Sequence, residues 1–225
     1  MMKFKDRTEA GQVLARKLAA YANCADVVVL ALPRGGVPVA FEIATALNLP
    51  LDVFLVRKLG VPGQSELAMG AIATGGVRVL NQDIVRSLRL SDAVIDKVAA
   101  QEQQELERRE RLYRDERPIP LLHERTVIIV DDGLATGATM RAAIEAIRQQ
   151  QPARIVVAVP ISSPETYRDL AVEVDEIICV ETPQPFWSVG LWYEDFPQTT
   201  DEEVRNLLKQ AQTTFSAQRP VVSSH

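Results

Sequence analysis

Hydrophobic residues in this chain form short runs separated by longer stretches with helical periodicity. The runs are rich in valine and isoleucine, which is typical of strands buried on both faces of a parallel sheet. They predict strands at Val27–Leu32, Leu51–Val56, Thr126–Val130, Ile155–Val159 and Glu176–Val180. Helices are predicted between and after them, over Asp6–Tyr21, 39–47, Met140–Gln150, 163–170 and 200–212. This alternation predicts an α/β fold with a mostly parallel sheet flanked by helices, and a ligand site at the carboxyl ends of its strands.

A different pattern follows the second predicted strand. Gly70–Thr74 and Val77–Leu80 alternate around Gly75-Gly76, which is a two-residue hairpin signal. The preceding residues, Leu59–Met69, contain two glycines and a proline and show no core-forming pattern. We therefore predict an irregular loop that leads into a β-hairpin, and we expect Leu59–Gly76 to be mobile.

The segment Ser91–Arg117 has a thin apolar stripe and many charges. Acidic and basic residues lie four positions apart, which favours a helix, in the pairs Glu105/Arg109, Glu107/Arg111 and Glu110/Arg114. We predict a long, solvated helix that ends at Pro118. A role in binding a partner or bracing a dimer is the alternative.

The strongest chemical signal lies in Thr126–Met140. The predicted strand ends in two adjacent carboxylates, Asp131 and Asp132, and a Gly/Thr-rich loop with hydroxyls at Thr136 and Thr139 then leads into a helix. Helix-start N–H groups and small hydroxyl side chains suit an anion such as phosphate. The carboxylates would repel that anion and suit sugar hydroxyls or a metal. The ligand should therefore carry both a phosphate and a polyol.

This stretch resembles the phosphoribosyl pyrophosphate (PRPP) motif of type I phosphoribosyltransferases, a hydrophobic strand followed by two acids and Thr-Gly-x-Thr. The resemblance implies that Asp131 and Asp132 hold the ribose hydroxyls and also Mg²⁺, directly or through those hydroxyls or water. It assigns the 5′-phosphate to Ala135, Thr136, Gly137, Ala138 and Thr139. Common nucleotide motifs fit less well, since neither Gly-x-x-x-x-Gly-Lys-Ser/Thr nor Gly-x-Gly-x-x-Gly is present.

Two further strand ends match the same family. Pro33-Arg34-Gly35-Gly36 resembles its pyrophosphate loop, which implies that Arg34, Gly35 and Gly36 face the leaving group. Related enzymes carry a cis peptide in this loop, and the matching bond joins Arg34 and Gly35. Arg57 and Lys58 resemble the basic pair before the catalytic flap, which implies that they contact pyrophosphate. The resemblance thus makes Arg57, Lys58, Asp131 and Asp132 the catalytic residues. The hairpin corresponds to the flap, which would exclude water from an oxocarbenium-like sugar.

The segment Glu181–Phe196 holds over a third of the aromatic residues. It resembles the base-binding hood of purine phosphoribosyltransferases, which implies base contacts from Phe186, Trp187 and Val189. The alternative is an apolar patch that packs on the N-terminal helix. We expect a single domain over 1–225, with a core of about 22–180 and a hood made of 1–21 and 181–212.

Composition narrows the classes of function. The net charge of −5 gives no reason to expect nucleic-acid binding. Since no apolar run reaches about 18 residues and no apolar signal core is present, we expect a cytoplasmic protein that does not contact membranes. Cys24 and Cys179 lie beside apolar runs and suggest buried thiols in a reducing compartment. The two histidines, His123 and His225, form no metal-ligand pattern.

The resemblance covers about Val27–Asp195 apart from the charged helix, and Phe4–Gly11 is similar to a little-characterised bacterial branch of the family. It implies an enzyme of nucleotide salvage that transfers the phosphoribosyl group of PRPP to a nitrogen nucleophile, usually a nucleobase, with Mg²⁺ and release of pyrophosphate. Two alternatives are a non-catalytic PRPP-binding regulator and a metal-dependent phosphohydrolase. The sequence leaves a homodimer open.

The resemblance also bears on which base is the acceptor. Enzymes of this family that act on 6-oxopurines carry an aspartate just before Thr-Gly and a lysine after the next strand. Here Ala135 and Pro160-Ile161-Ser162-Ser163 stand at those positions. We therefore expect hypoxanthine and guanine to be poor substrates, and adenine to be the better candidate.

Overall fold

The computed structural model describes residues 3–115 and 117–218. The strands are β1 (Val27–Ala31), β2 (Leu51–Val53), β3 (Val56–Val61), β4 (Gln64–Ala73), β5 (Val77–Leu80), β6 (Thr126–Val130), β7 (Arg154–Ile161) and β8 (Glu176–Glu181). The helices are α1 (Arg7–Lys17), α2 (Gly36–Leu47), α3 (Gln82–Ser87), α4 (Asp92–Arg114), α5 (Ala138–Arg148), α6 (Pro164–Ala171) and α7 (Asp201–Gln218). Strands and helices alternate through most of the chain, which confirms the predicted α/β class.

Five strands form the central sheet, in the order β2-β1-β6-β7-β8, and every neighbouring pair is parallel. Both faces are covered, because Val29 of β1 packs in one cluster with residues of α1, α2 and α7, whereas Leu30 packs in another with α5. Strands buried on both faces need continuous apolar sequence. That is why the runs at β1 and β6, with all five residues buried in each, were easy to predict.

A second sheet is antiparallel and consists of β3, β4 and β5. The predicted hairpin is confirmed, since β4 pairs with β5 around the Gly75-Gly76 turn. Two other predictions were wrong. The stretch Leu51–Val56 is split between the two sheets, and Leu59–Met69 is not an irregular loop but most of the β3–β4 hairpin.

The reason for the second error is a partner that is distant in sequence. Leu59 and Met69 are fully buried and belong to the same apolar cluster as Ile95 and Leu106 of α4. A few apolar residues in a glycine-rich hairpin are enough to anchor it when a helix covers them. The flexibility predicted for this flap stays a prediction.

The charged segment does form one long helix, α4, and its predicted pairs Glu105/Arg109 and Glu110/Arg114 are present at 2.8 and 3.1 Å. The helix is not merely solvated, however. Arg114 is buried, its Nε lies 2.9 Å from Asp52 Oδ1 of β2, and it also donates to the backbone oxygen of Val53. Packing on β3 and this buried ion pair make α4 part of the scaffold.

The two ends of the chain meet the rest of the fold in different ways. The segment before α1 pairs with the segment after β8, because Phe4 and Tyr193 form a parallel bridge. Helices α1 and α7 both pack against α2. The division into a core of 22–180 and a hood of 1–21 and 181–212 stays a prediction. His225 lies outside the described residues.

Two smaller expectations concern the thiols and the membrane. Cys24 and Cys179 are both free and only partly buried, and burial raises the pKa of the Cys179 thiol to about 12. Among the described residues, no helix combines the length and the apolar character that a membrane span requires.

Candidate active site

The predicted acid pair lies where β6 ends, in the middle of the parallel sheet. Asp131 and Asp132 follow Val130 directly, and the Asp132 amide donates to Asp131 Oδ1 over 2.8 Å. Burial raises the pKa of Asp131 well above its usual range, and the neighbouring charge of Asp132 acts in the same direction. Burial also raises the pKa of Asp132, although an adjacent arginine opposes that shift. Two partly buried carboxylates side by side need a cation or a hydroxyl-rich ligand nearby.

That arginine is Arg7 at the start of α1, which the sequence did not single out. Its Nε and Nη2 lie 2.9 and 2.8 Å from Asp132 Oδ2, with the two side chains 10% and 16% exposed. Its Nη1 donates to the Pro197 backbone oxygen over 2.7 Å, and its guanidinium carbon lies 3.8 Å from the centre of the Phe196 ring. The partners are 125 and 190 residues away along the chain, so spacing could not reveal them. The one signal in the sequence was that Phe4–Gly11, which contains Arg7, is similar to a little-characterised bacterial branch of the family.

The predicted pyrophosphate turn contacts the same carboxylate. A Cβ atom built on Gly35 would overlap the side chain of Asp132, and one on Gly36 would lie 2.6 Å from the Val130 oxygen. Glycine is therefore required for this close approach. The non-proline cis bond lies between Pro33 and Arg34, so the predicted position, between Arg34 and Gly35, was wrong by one bond.

Arg34 is partly exposed and its Nη1 lies 3.7 Å from Asp201 Oδ1 at the start of α7. The same Asp201 oxygen accepts a hydrogen bond from the Tyr113 hydroxyl of α4 over 2.5 Å. Burial, together with this carboxylate, raises the pKa of Tyr113 to about 12. Asp201 thus connects the glycine turn to α4 and α7, a link that no local pattern predicted.

The predicted phosphate loop, 135–139, leads from the acid pair into α5. Gly137 has φ 70°, and the side chains of Ala135, Thr136, Ala138 and Thr139 are exposed. The Ala135 oxygen accepts from Thr166 Oγ1 at 2.6 Å and from Ser163 Oγ at 3.1 Å, and the Thr136 oxygen accepts from Arg141 Nη1 at 3.0 Å. These side chains thus hold the backbone oxygens of Ala135 and Thr136 in place. The first N–H groups of α5 have no acceptor within the helix and can face an anion.

The basic pair on β3 borders two neighbouring clefts, and Lys58 lines both of them. Lys58 lines a cleft of about 600 Å³ together with Ala138 and Thr139 of the phosphate loop. Arg57 lines a neighbouring cleft of about 800 Å³ instead, where its Nε and Nη2 lie 2.7 and 2.6 Å from Glu102 Oε2 of α4. Only Lys58 is brought to the phosphate loop by this arrangement, and Arg57 is held by the charged helix.

The aromatic segment after β8 packs on the start of the chain, which was one of the two interpretations offered for it, and base contacts from Phe186, Trp187 and Val189 stay a prediction. The Tyr193 ring stacks on Phe196, with ring centres 4.7 Å apart, and makes a tilted contact with Phe4 at 5.6 Å. Its hydroxyl also donates to the Asp132 backbone oxygen over 2.6 Å. The Val189 side chain is so close to Gly133 that a Cβ there would lie 2.5 Å from it, whereas Trp187 is 79% exposed. Val189 and Tyr193 therefore join this segment to the acid pair.

The acid pair also fits a magnesium ion that arrives with a phosphorylated ligand. Within residues 3–115 and 117–218, no three His, Cys, Asp or Glu side chains group as a metal cage. Mg²⁺ does not need one, because it is commonly held by one or two carboxylates plus water and substrate phosphates. The oxygen donors of Asp131 and Asp132 suit that mode.

A parallel sheet with an acid pair, a phosphate loop and a glycine turn at one edge defines a phosphoribosyltransferase-type fold. The chain belongs to the phosphoribosyltransferase family: residues 8–194 match the family model described as "Phosphoribosyl transferase domain". The crystal structure of TT1426 from Thermus thermophilus is similar, with 43% identity and a TM-score of 0.82 over 93% of this chain and 99% of that one.

Curated relatives carry the same family name. Two Mycobacterium tuberculosis proteins, each named as a "Putative phosphoribosyl transferase", are 49% identical over 217 residues. The match covers 96% of this chain and 48% of theirs, so the chain spans about half the length of these relatives.

Proposed function

We propose that this domain transfers the phosphoribosyl group of PRPP to a nitrogen nucleophile, with a nucleobase as the first candidate, and releases pyrophosphate. The observation that carries the proposal is the meeting of the glycine turn after β1 with the acid pair after β6. Asp132 is packed against the backbone of Gly35, and the phosphate loop begins three residues later. A ligand at this edge would meet carboxylates, the backbone N–H of Gly35 and a helix start, which matches the polyol, the pyrophosphate and the 5′-phosphate of PRPP.

Each part of the site has a proposed role. Asp131 and Asp132 would accept hydrogen bonds from the ribose hydroxyls, and 135–139 would bind the 5′-phosphate. Arg34, Gly35, Gly36 and Lys58 would face the pyrophosphate group. Arg57 joins them only if it leaves Glu102 when the ligand binds.

The chemistry is a displacement at C1′. The acceptor nitrogen forms a bond to C1′ with its lone pair, while the bond from C1′ to the pyrophosphate oxygen breaks and its electrons leave with pyrophosphate. The proton lost by the nitrogen passes to the leaving group or to water. Mg²⁺ held near Asp131 and Asp132 would neutralise part of the pyrophosphate charge. The Gly35 N–H of the glycine turn would stabilise the same developing charge, whereas the Gly36 N–H donates to the Leu32 oxygen over 3.1 Å.

The proposal also concerns which base is the acceptor. Ala135 offers no side-chain acid, its carbonyl is occupied by Ser163 and Thr166, and the Ser162 hydroxyl is used by the Ser163 backbone oxygen at 3.0 Å. A 6-oxopurine would therefore find neither the acid nor the cation that its polar edge needs. We expect adenine to be used at least about tenfold faster than hypoxanthine or guanine. Efficient inosine monophosphate synthesis would contradict this.

The test is an assay of pyrophosphate release with PRPP, Mg²⁺ and a panel of bases, in which the nucleotide is identified by mass spectrometry. Release that depends on a base supports transfer, and PRPP binding without release with any base would support the regulator instead. Release without a base would indicate a hydrolase. The site variant to assay is Asp132→Asn. Its matched control is Asp26→Asn, because Asp26 is an exposed acid just before β1, at the opposite end of the parallel strands.

A further inference from the structure

Arg7 is a charged side chain that several contacts hold at the candidate site, although it lies outside the family motifs. The chain before it is paired with the segment after β8, because Phe4 N donates to the Trp192 oxygen at 2.9 Å and Glu194 N donates to the Phe4 oxygen at 2.8 Å. Asp6 then caps α1 by accepting from Glu9 N at 2.9 Å. Arg7 therefore begins the helix at a backbone position that is held from both sides.

Three different parts of the Arg7 guanidinium make contacts. One edge, Nε and Nη2, faces Asp132, Nη1 donates to Pro197, and the flat face lies on the Phe196 ring. A planar group held in this way has little freedom to turn. Lysine could not reproduce it, because an ammonium is a point charge without the planar fork.

These contacts distinguish the two oxygens of the Asp132 carboxylate. Both Arg7 nitrogens contact Oδ2, and Oδ2 is also the atom closest to the position that a Cβ atom on Gly35 would take, at 2.0 Å against 3.1 Å for Oδ1. Oδ2 is thus enclosed by Arg7 on one side and the glycine turn on the other, which leaves Oδ1 as the oxygen that Arg7 does not contact.

We propose that Arg7 is a positioning residue that fixes the Asp132 carboxylate, so that its Oδ1 faces the ribose hydroxyls and the metal of PRPP. This inference rests on the proposed function, since it names how the same site is prepared for its ligand. Arg7 does not touch the ligand itself. Its side chain connects the N-terminal helix to the acid pair and to the segment at Phe196–Pro197.

The experiment is a double-mutant cycle read by calorimetric titration with PRPP at several Mg²⁺ concentrations. The proteins are wild type, Arg7→Gln, Arg7→Lys, Asp132→Asn and the double variant Arg7→Gln with Asp132→Asn. Arg154→Gln is the control, because it breaks an exposed ion pair with Glu176 that is 2.8 Å long at the start of β7. Thermal melts show which variants fold.

We expect Arg7→Gln to weaken PRPP binding about tenfold or more, and to raise the Mg²⁺ concentration needed for binding. In the Asp132→Asn background the same change should have less than about a twofold effect, since the group that Arg7 positions is already altered. Arg7→Lys should recover part of the loss, and Arg154→Gln should bind like wild type. If Arg7→Gln does not fold, Arg7→Lys takes its place in the cycle.

Three results would overturn the inference. They are wild-type affinity in Arg7→Gln, an equal loss in both backgrounds, and a crystal structure of the ligand-free variant in which the Asp132 carboxylate stays within about 0.5 Å of its place. Failure of the wild-type protein to bind PRPP would instead defeat the proposed function, and the ligand-free structure would still decide whether Arg7 positions Asp132.

Discussion

The carboxyl edge of the parallel sheet and the three-stranded sheet beside it both carry predicted site residues, yet they hold them differently. At the sheet edge, Asp132 is enclosed by Arg7, Tyr193 and Gly35, and its side chain is 16% exposed. On the antiparallel sheet, Arg57 is held by the side chain of Glu102, and both members of that pair are more than a quarter exposed. Buried, multiply bonded groups are fixed before a ligand arrives, whereas partly exposed ion pairs exchange partners at little cost. We therefore predict that the first region keeps its geometry when a ligand binds and that the second changes its contacts.

The largest effect expected from this difference is in local stability. We expect the amides of β1 and β6 to exchange only through global opening, and the Gly63 amide in the β3–β4 turn to exchange at almost no cost. The difference should be about 5 kcal/mol or more, and hydrogen exchange followed by mass spectrometry measures it. PRPP should slow exchange at the turn. Strong protection of the turn in the free protein would remove the contrast between the two regions.

The next effect concerns the junction of the two sheets. Arg114 of α4 binds Asp52 and Val53 of β2 just before β3 begins, and the Arg114 and Asp52 side chains are 3% and 10% exposed. Arg114→Ala should lower the free energy of unfolding by about 3–5 kcal/mol, because it leaves a buried carboxylate without its partner. Urea denaturation measures this loss.

The matched control for that change is Arg109→Ala, which breaks a more exposed pair with Glu105 on the same helix. It should cost less than about 1 kcal/mol. Equal losses for the two variants would mean that burial of the Arg114 pair does not matter.

A smaller effect is expected in binding at the sheet edge. Asp131→Asn and Asp132→Asn keep the shape of each side chain and remove its charge. Each should weaken PRPP binding by about 2 kcal/mol or more, close to thirtyfold, because charge-assisted hydrogen bonds are lost. Calorimetry with Asp26→Asn as the control checks this. Unchanged PRPP affinity in both variants would contradict the proposal that the acid pair binds the ribose hydroxyls.

The smallest effect belongs to the antiparallel sheet. Glu102→Gln removes the charge that holds Arg57, and we expect PRPP to bind up to about fivefold more tightly, within the roughly 1 kcal/mol of a partly exposed pair. Asp96→Asn is the control, because Asp96 joins the same helix to the same sheet through Arg78, at 2.6 Å. Weaker binding in Glu102→Gln would show that the pair positions Arg57 for the ligand.

Local sequence determined the parts of this protein that depend on backbone pattern. The apolar runs at β1 and β6, the acid pair after β6 and the glycine turn after β1 were all readable, because burial on two faces and close backbone approach restrict residue type at each position. Their meeting at one edge followed from the rule that parallel strands end on the same side.

Only the tertiary structure decided which charges of different elements meet. Arg7, Glu102 and Arg114 look like ordinary residues of solvated helix surfaces, and their partners are 125, 45 and 62 residues away. The β3–β4 hairpin was missed for the same reason, because Leu59 and Met69 are buried by a helix that the local pattern does not contain. Periodicity records which face of an element is buried, but an ion pair depends on two elements packing at a particular register, and that information exists only in the folded chain.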